Sequence, residues 1–308
     1  MAPRHRSAHP NPRQGPRPLA LHLTSATGSW LSSRAALPLL KGGLLPWRPE
    51  FAVQGGALSL ALNLLSGKNP AASDEAFLAA LDAELMHRAK VFLDGIERYR
   101  HHPYRRDLPE PPALWQEGTT RLLDYGPPDG VPLLVVPSLI NRAYILDLSV
   151  SQSLLRYLAR QGLRPMLVDW DAPTDEERRF GMSDYILKRL EPAAEAAMEE
   201  AGAQPIVMGY CMGGNLALAL AQRRPELVRA LALLATPWRF HAERAEHARL
   251  LGVLAAPIAR AYEPLGEVPV DVLQALFAAQ DPLLALRKFS RFATLAPDSA
   301  AALGFVAL

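Results

Sequence analysis

Pro205-Ile206-Val207-Met208-Gly209-Tyr210-Cys211-Met212-Gly213-Gly214-Asn215 passes from an apolar strand through G-x-C-x-G-G into the alanine- and leucine-rich stretch Leu216 to Gln222. A nucleophile held on such a strand-to-helix turn needs small neighbours. Residues two before and two after it lie where a side chain would collide with adjacent backbone, and Gly209 and Gly213 meet that need, with Gly214 following. The unpaired N–H groups and dipole of a helix N-terminus favour a thiolate at Cys211, and a thiolate attacks esters and thioesters. The Met212 N–H, the amide after the nucleophile, is expected to point at the oxygen of a tetrahedral intermediate. A lone cysteine is more often a small buried hydrophobe; the elbow spacing in its strand-turn-helix setting reverses that reading.

Outward from this turn, strands are expected at Thr119 to Tyr125, Pro132 to Val136, Pro165 to Val168, Ile206 to Tyr210 and Leu231 to Ala235. Helical stretches such as Leu146 to Arg160 and Met182 to Gly202 separate them, the second split by Pro192. Apolar strands alternating with helices imply an α/β class with a mainly parallel sheet covered on both faces. Upstream, Leu19 to Leu40 and Phe51 to Leu65 read as helices joined by a Gly42 to Pro49 turn. A third helix starts at an N-cap Ser73 and carries Phe77, Leu81, Leu85, Phe92, Ile96 and Tyr99 at helical spacing. That stripe either docks on the chain's own core or faces a partner. After Trp238 strands cease, and Leu250 to Phe305 reads as helices broken at Pro257, Pro264, Pro269, Pro282 and Pro297. The organisation expected is a disordered basic tail over 1–18, a helical region and linker over 19–114, an α/β core over 115–240 and a helical cap-like region over 241–308.

The chain has 308 residues, 49% of them apolar, with a formal charge of +2. Residues 1–49 hold seven Lys or Arg and no acid. With one cysteine, an intramolecular disulfide framework and a multi-thiolate zinc site are excluded, and no metal is expected. No secretory signal stands out, no 18 consecutive residues are apolar, and no nucleic-acid partner is expected, so a cytoplasmic location fits best. The use of 28 Arg against 5 Lys hints at a GC-rich bacterial genome.

A second segment, Pro137-Ser138-Leu139-Ile140-Asn141-Arg142-Ala143-Tyr144-Ile145-Leu146-Asp147-Leu148, follows the strand ending at Val136. A backbone N–H near Ile140 or Asn141 is the candidate second oxyanion donor. The alternative is an ordinary strand-to-helix loop with Asp147 in a first helical turn. This block resembles the P-x-x-I-N-x-x-Y-I-L-D-L block of polyhydroxyalkanoate synthases, members of the α/β-hydrolase superfamily, and Gly209 to Gly214 is similar to their lipase-like box with cysteine. Val168-Asp169-Trp170-Asp171-Ala172-Pro173 also resembles that family's strand-Trp-x-x-Pro turn. The likeness spans about residues 115 to 240. It implies an α/β-hydrolase-like sheet with an N-terminal helical segment and a helical cap insertion. It also implies an acyltransferase that moves a 3-hydroxyacyl group from a coenzyme A thioester to the cysteine and then grows a polyester, with a His–Asp pair assisting and no bound cofactor. The cysteine box alone also resembles dienelactone hydrolases, which cleave small cyclic esters.

In this fold the acid and then the histidine follow the nucleophile. Downstream of Cys211 stand only His241 and His247, and only Asp271, Asp281 and Asp298, none after an apolar strand. His241 is read as an exposed helix start rather than a catalytic base. The chain therefore reads as cut short at its C-terminus, its last strands and its base and acid missing, with Leu231 to Ala235 left as an apolar sheet edge. The expected partners are a hydroxyacyl-coenzyme A, a polyester granule surface, and a second copy or a synthase partner. Association without turnover and hydrolysis of small esters are the competing readings.

Overall fold

The computed structural model describes residues 13–65, 70–239, 241–242 and 245–307. Their contacts divide the chain into two compact units: one ends its first part at Pro103 and takes in Pro269–Val306, and Tyr104–Val268 make the other.

The first unit opens with α1 (Leu19–Ala35), α2 (Leu37–Lys41), α3 (Ala52–Leu65) and the long α4 (Pro70–Arg100). Ser73 is not the N-cap of α4, because the helix begins three residues earlier, at a proline whose missing N–H costs nothing in a first turn. The apolar stripe of α4 is used within the unit. Phe92 and Ile96 are buried with Ala26 and Phe289, Tyr99 and Phe305 pack against them, and Phe77 packs on a cluster of Leu37, Leu40 and Leu62. Of the expected disordered tail, residues 1–12 lie outside the described residues. Residues after them run beside the end of α4, where the Arg13 N–H reaches the Arg100 carbonyl at 3.3 Å and Arg100 Nε donates to the Gly15 carbonyl at 3.3 Å.

The second unit holds β1 (Ala113–Glu117), β2 (Thr120–Asp124), β3 (Val131–Val136), α5 (Leu154–Arg160), β4 (Leu163–Asp169), α6 (Met182–Tyr185), α7 (Glu191–Ala201), β5 (Ile206–Tyr210), α8 (Gly213–Arg223), β6 (Ala230–Leu234) and α9 (Ala245–Tyr262). Its sheet has the order β1-β2-β4-β3-β5-β6. β4, β3, β5 and β6 run parallel, and β1 and β2 add antiparallel at one side. Alternation along the strands sends Leu134, Val136, Met166 and Val168 into one buried cluster with Leu190 and Leu216. Leu133, Val135 and Leu167 go into another with Leu146 and Leu155. Both faces of the central strands are thus covered, which is why they are mostly apolar, the buried Arg164 of β4 being paired with Asp124 at 2.7 Å. Pro192 sits in the first turn of α7, and the π-helical turn over Ile186–Leu190 before it keeps the backbone helical from Met182 to Ala201, so the expected two pieces are one stretch with a change of hydrogen bonding rather than a break.

Two further expectations are corrected. Leu146 to Arg160 is not one helix: a 3-10 turn over Ala143–Leu146 is separated from α5 by a loop that an Asp147–Ser153 bridge pins. Pro257 does not break α9, which continues through it. The carbonyl four residues earlier, which loses an N–H partner, belongs to Val253, an exposed position open to solvent.

The chain then returns to the first unit with α10 (Val270–Ala278), α11 (Leu284–Ala293) and most of α12 (Ala300–Ala307). The helices after Trp238, grouped by sequence as one cap-like region, are therefore divided between the two units. Among the described residues β6 has a strand partner on one side only, and Leu233 and Leu234 are 46% and 42% exposed.

Candidate active site

Cys211 lies between the last residue of β5 and the start of α8 with φ +53°, in the left-handed region. That conformation costs a residue with a Cβ about 1–2 kcal/mol and is retained here by its surroundings. The Cys211 N–H donates to the Leu234 carbonyl at 2.9 Å, and the Cys211 carbonyl accepts from the Gly214 N–H at 2.9 Å. The glycines are required by close approach. A Cβ on Gly209 would overlap Gly214 Cα, one on Gly213 would overlap the Val136 and Pro137 carbonyls, and one on Gly214 would overlap the Thr236 side chain. The elbow is thereby pressed against β3 on one side and the segment after β6 on the other. The thiol is free and partly exposed, and among the described residues the Met212 N–H has no acceptor.

The loop after β3 supplies the opposite wall, since the Gly213 backbone abuts the Val136 and Pro137 carbonyls. Within it the Ile140 N–H donates to the hydroxyl of the buried Ser138 at 3.1 Å, so that amide is already satisfied. The Asn141 N–H has no acceptor among the described residues. At one end of the loop the Pro137 carbonyl accepts from Trp170 Nε1 at 3.1 Å; at the other, Arg142 Nη1 meets Asp171 Oδ1 at 3.0 Å.

Asp147, in the same sequence block, has a different task. Its carboxylate is fully buried and receives Arg156 Nε at 2.9 Å, Arg106 Nη2 at 2.6 Å and the Tyr125 hydroxyl at 3.2 Å. Burial pushes this carboxyl up, but the hydrogen bonds from Arg156 and Ser153 and the charges of Arg156 and Arg106 outweigh it and hold it below the usual range. Tyr125 moves the opposite way, raised by burial and by the Asp147 charge. Behind the β4 turn, Glu177 is buried against Thr119, Thr174 and Arg189. Burial raises it, and hydrogen bonds from Thr174, Thr119 and Arg189 bring its carboxyl down to about 2. Both networks tie together loops of this unit, and both are built from charges that the sequence does not show to be neighbours.

No histidine bonds to Cys211 among the described residues. His241 is exposed, and the side chain of His247 lies outside the described residues. Asp271 pairs with Arg17 at 2.7 Å and Asp281 pairs with Arg287, both in the first unit. Among the described residues no cluster of His, Cys, Asp or Glu could hold a metal, and no helix is long and apolar enough to cross a membrane. The sequence reading passed over Ser138 and Thr236, whose places depend on contacts between separate loops rather than on spacing.

A family model described as the alpha/beta hydrolase fold matches residues 131–297. The chain is 31% identical over 206 residues to the poly(3-hydroxyalkanoate) polymerase subunit of Haloferax mediterranei, covering 65% of this chain and 42% of that one. It is 32% identical over 174 residues to the subunit of the same name from Haloarcula marismortui, covering 54% and 35%. Against that of Synechocystis sp. the identity is 28% over 204 residues, covering 63% and 54%. The chain thus spans about a third to a half of the length of these relatives. Among solved structures, a hypothetical protein from Pseudomonas aeruginosa matches at 24% identity with a TM-score of 0.34, over 50% of this chain and 52% of that one.

Proposed function

Because the chain belongs to the alpha/beta hydrolase fold family, we propose that it is a polyhydroxyalkanoate synthase-like acyltransferase whose Cys211 accepts a 3-hydroxyacyl group from a coenzyme A thioester. The observation that carries this reading is the free thiol in a left-handed elbow at the end of β5, with the next amide, Met212 N–H, unengaged; the Asn141 N–H, in the loop whose first residue abuts Gly213, is unengaged as well. The Cys211 thiolate attacks the thioester carbonyl carbon, and the oxygen gathers negative charge opposite those two amides. The bond from that carbon to the coenzyme A sulfur then breaks. Coenzyme A leaves as its thiolate and takes up the proton that Cys211 had lost to solvent. Acylation is the half-reaction these residues support; growth of the polyester needs a base for the incoming hydroxyl, which no described neighbour of Cys211 supplies.

Incubation with radiolabelled 3-hydroxybutyryl-coenzyme A should label the wild-type chain covalently at one site and leave Cys211→Ala unlabelled. Equal labelling of both overturns the assignment. Turnover of simple esters without a retained acyl group would instead favour a small-ester hydrolase.

A second reading is favoured by α3, which carries no charged residue and exposes Val53, Leu60 and Leu64. Here the chain associates, without turnover, with a polyester granule, a second copy or a synthase partner. Cosedimentation with granules that survives Cys211→Ala but is lost in Val53→Asp with Leu60→Asp would support it.

A further inference from the structure

Two consecutive residues of the turn after β4 hold the two ends of the loop after β3. The Trp170 indole N–H donates to the Pro137 carbonyl, at the loop's first residue. The Asp171 carboxylate holds the Arg142 guanidinium, one residue past Asn141. Each grip is itself braced. Trp170 is 6% exposed, stands edge-on to Tyr185, and has its carbonyl bonded by the Thr119 hydroxyl at 3.0 Å. Asp171 adopts φ +51°, and its N–H donates to Asp169 Oδ1 at 3.3 Å, which braces the backbone that carries the side chain. Asp169 is in turn fixed by Arg121 at 2.7 Å. The Pro137 carbonyl that Trp170 holds is also, with the Val136 carbonyl, a group against which Gly213 of the elbow packs, so it helps to register the loop against the nucleophile turn.

We infer that Trp170 and Asp171 are positioning residues that clamp the loop 137–142 and thereby aim the Asn141 N–H at the oxygen of the acylation intermediate. The inference rests on the reading that Cys211 is acylated and that this amide receives the oxyanion. The two grips are unequal. Trp170 acts from a buried site where no water competes for the Pro137 carbonyl, whereas the Arg142–Asp171 pair is 63% and 48% exposed, so its contribution is small.

The test compares two reactions of the same thiol in the full chain. Transfer from 3-hydroxybutyryl-coenzyme A creates an oxyanion; alkylation by iodoacetamide displaces iodide at a saturated carbon and creates none. Trp170→Phe keeps the ring and removes the donor. Its single-turnover acylation is expected to fall about tenfold to a hundredfold, the scale of a misplaced catalytic group. Asp171→Asn, a residue type that tolerates positive φ, is expected to slow acylation by no more than about fivefold. Alkylation rates should stay within about twofold of wild type in both, because the elbow itself is untouched. Hydrogen exchange over residues 137–142 should quicken in Trp170→Phe relative to α5. Parallel losses in acylation and alkylation would mean a general disturbance of the site and overturn the inference, as would unchanged acylation. A wild-type chain that alkylates but never acylates would overturn the proposed function instead. In that case unchanged exchange of the loop in Trp170→Phe would overturn the clamp as well, and quickened exchange would uphold it as a feature of the loop.

Discussion

At Cys211 the demands of chemistry and of backbone geometry oppose each other. The left-handed φ of +53° suits glycine, yet the site carries a side chain. Replacing the thiol separates the two: Cys211→Ala keeps the strain, while Cys211→Gly relieves it. Cys211→Gly is therefore expected to be more stable than Cys211→Ala by about 1 kcal/mol in urea titrations, with both unlabelled by thioester; the reverse order would mean that the turn is not strained at this residue. The position was legible in the sequence because the elbow is a local motif, in which five consecutive residues and two glycines state the whole geometry. That the Ile140 amide is engaged while the Asn141 amide is not was hidden, because it depends on where the Ser138 hydroxyl lies. The Trp170 grip on Pro137 was equally hidden, since 33 residues separate donor from acceptor.

Among elements, strands proved easier to read than what joins them. β5 coincides with the expected Ile206 to Tyr210, and β3, β4 and β6 match within a few residues, because each is a largely apolar run bounded by turn residues, buried on both faces in β3 and β4 and partly exposed in β6. β1 was missed: it is short, half exposed, mixed in polarity and returns at once through Gly118 into β2. The break between Leu146 and Leu154 was missed because a buried ionic network around Asp147, rather than any helix-stop residue, shapes it. Ionic networks of this kind make a testable pH signature. Glu177 links the β1–β2 turn through Thr119, the turn after β4 through Thr174, and the π-turn through Arg189. Its carboxyl is lowered from 4.5 to about 2 in the folded chain. The native form therefore binds fewer protons than the unfolded form between those values, so this stabilisation is complete above about pH 4.5 and drains away as the pH falls toward 2. Glu177→Gln is expected to lower the unfolding free energy at pH 7 by roughly 3 kcal/mol and to flatten its decline between about pH 5 and 2.5, measured by urea midpoints; a parallel decline in both proteins would refute the assignment.

Over the whole molecule, the described sheet is asymmetric. β1 and β2 close one side as an antiparallel pair, while β6 ends the other as Ala-Leu-Ala-Leu-Leu without a charge, a proline or a bulge to guard it. Such an edge templates pairing with other chains. Leu233→Lys is expected to raise the concentration at which light scattering begins by several-fold with an unchanged far-ultraviolet circular dichroism spectrum; an unaltered onset would place the aggregating surface elsewhere. That same strand is where Cys211 is moored, through its N–H and the Leu234 carbonyl. An outermost strand breathes more readily than a central one, so each opening of β6 releases the backbone of Cys211. Tension at the thiol and closure of the sheet margin are thereby joined: a polypeptide that zips onto β6 would lengthen the time for which the elbow is held, reaching Cys211 without touching it.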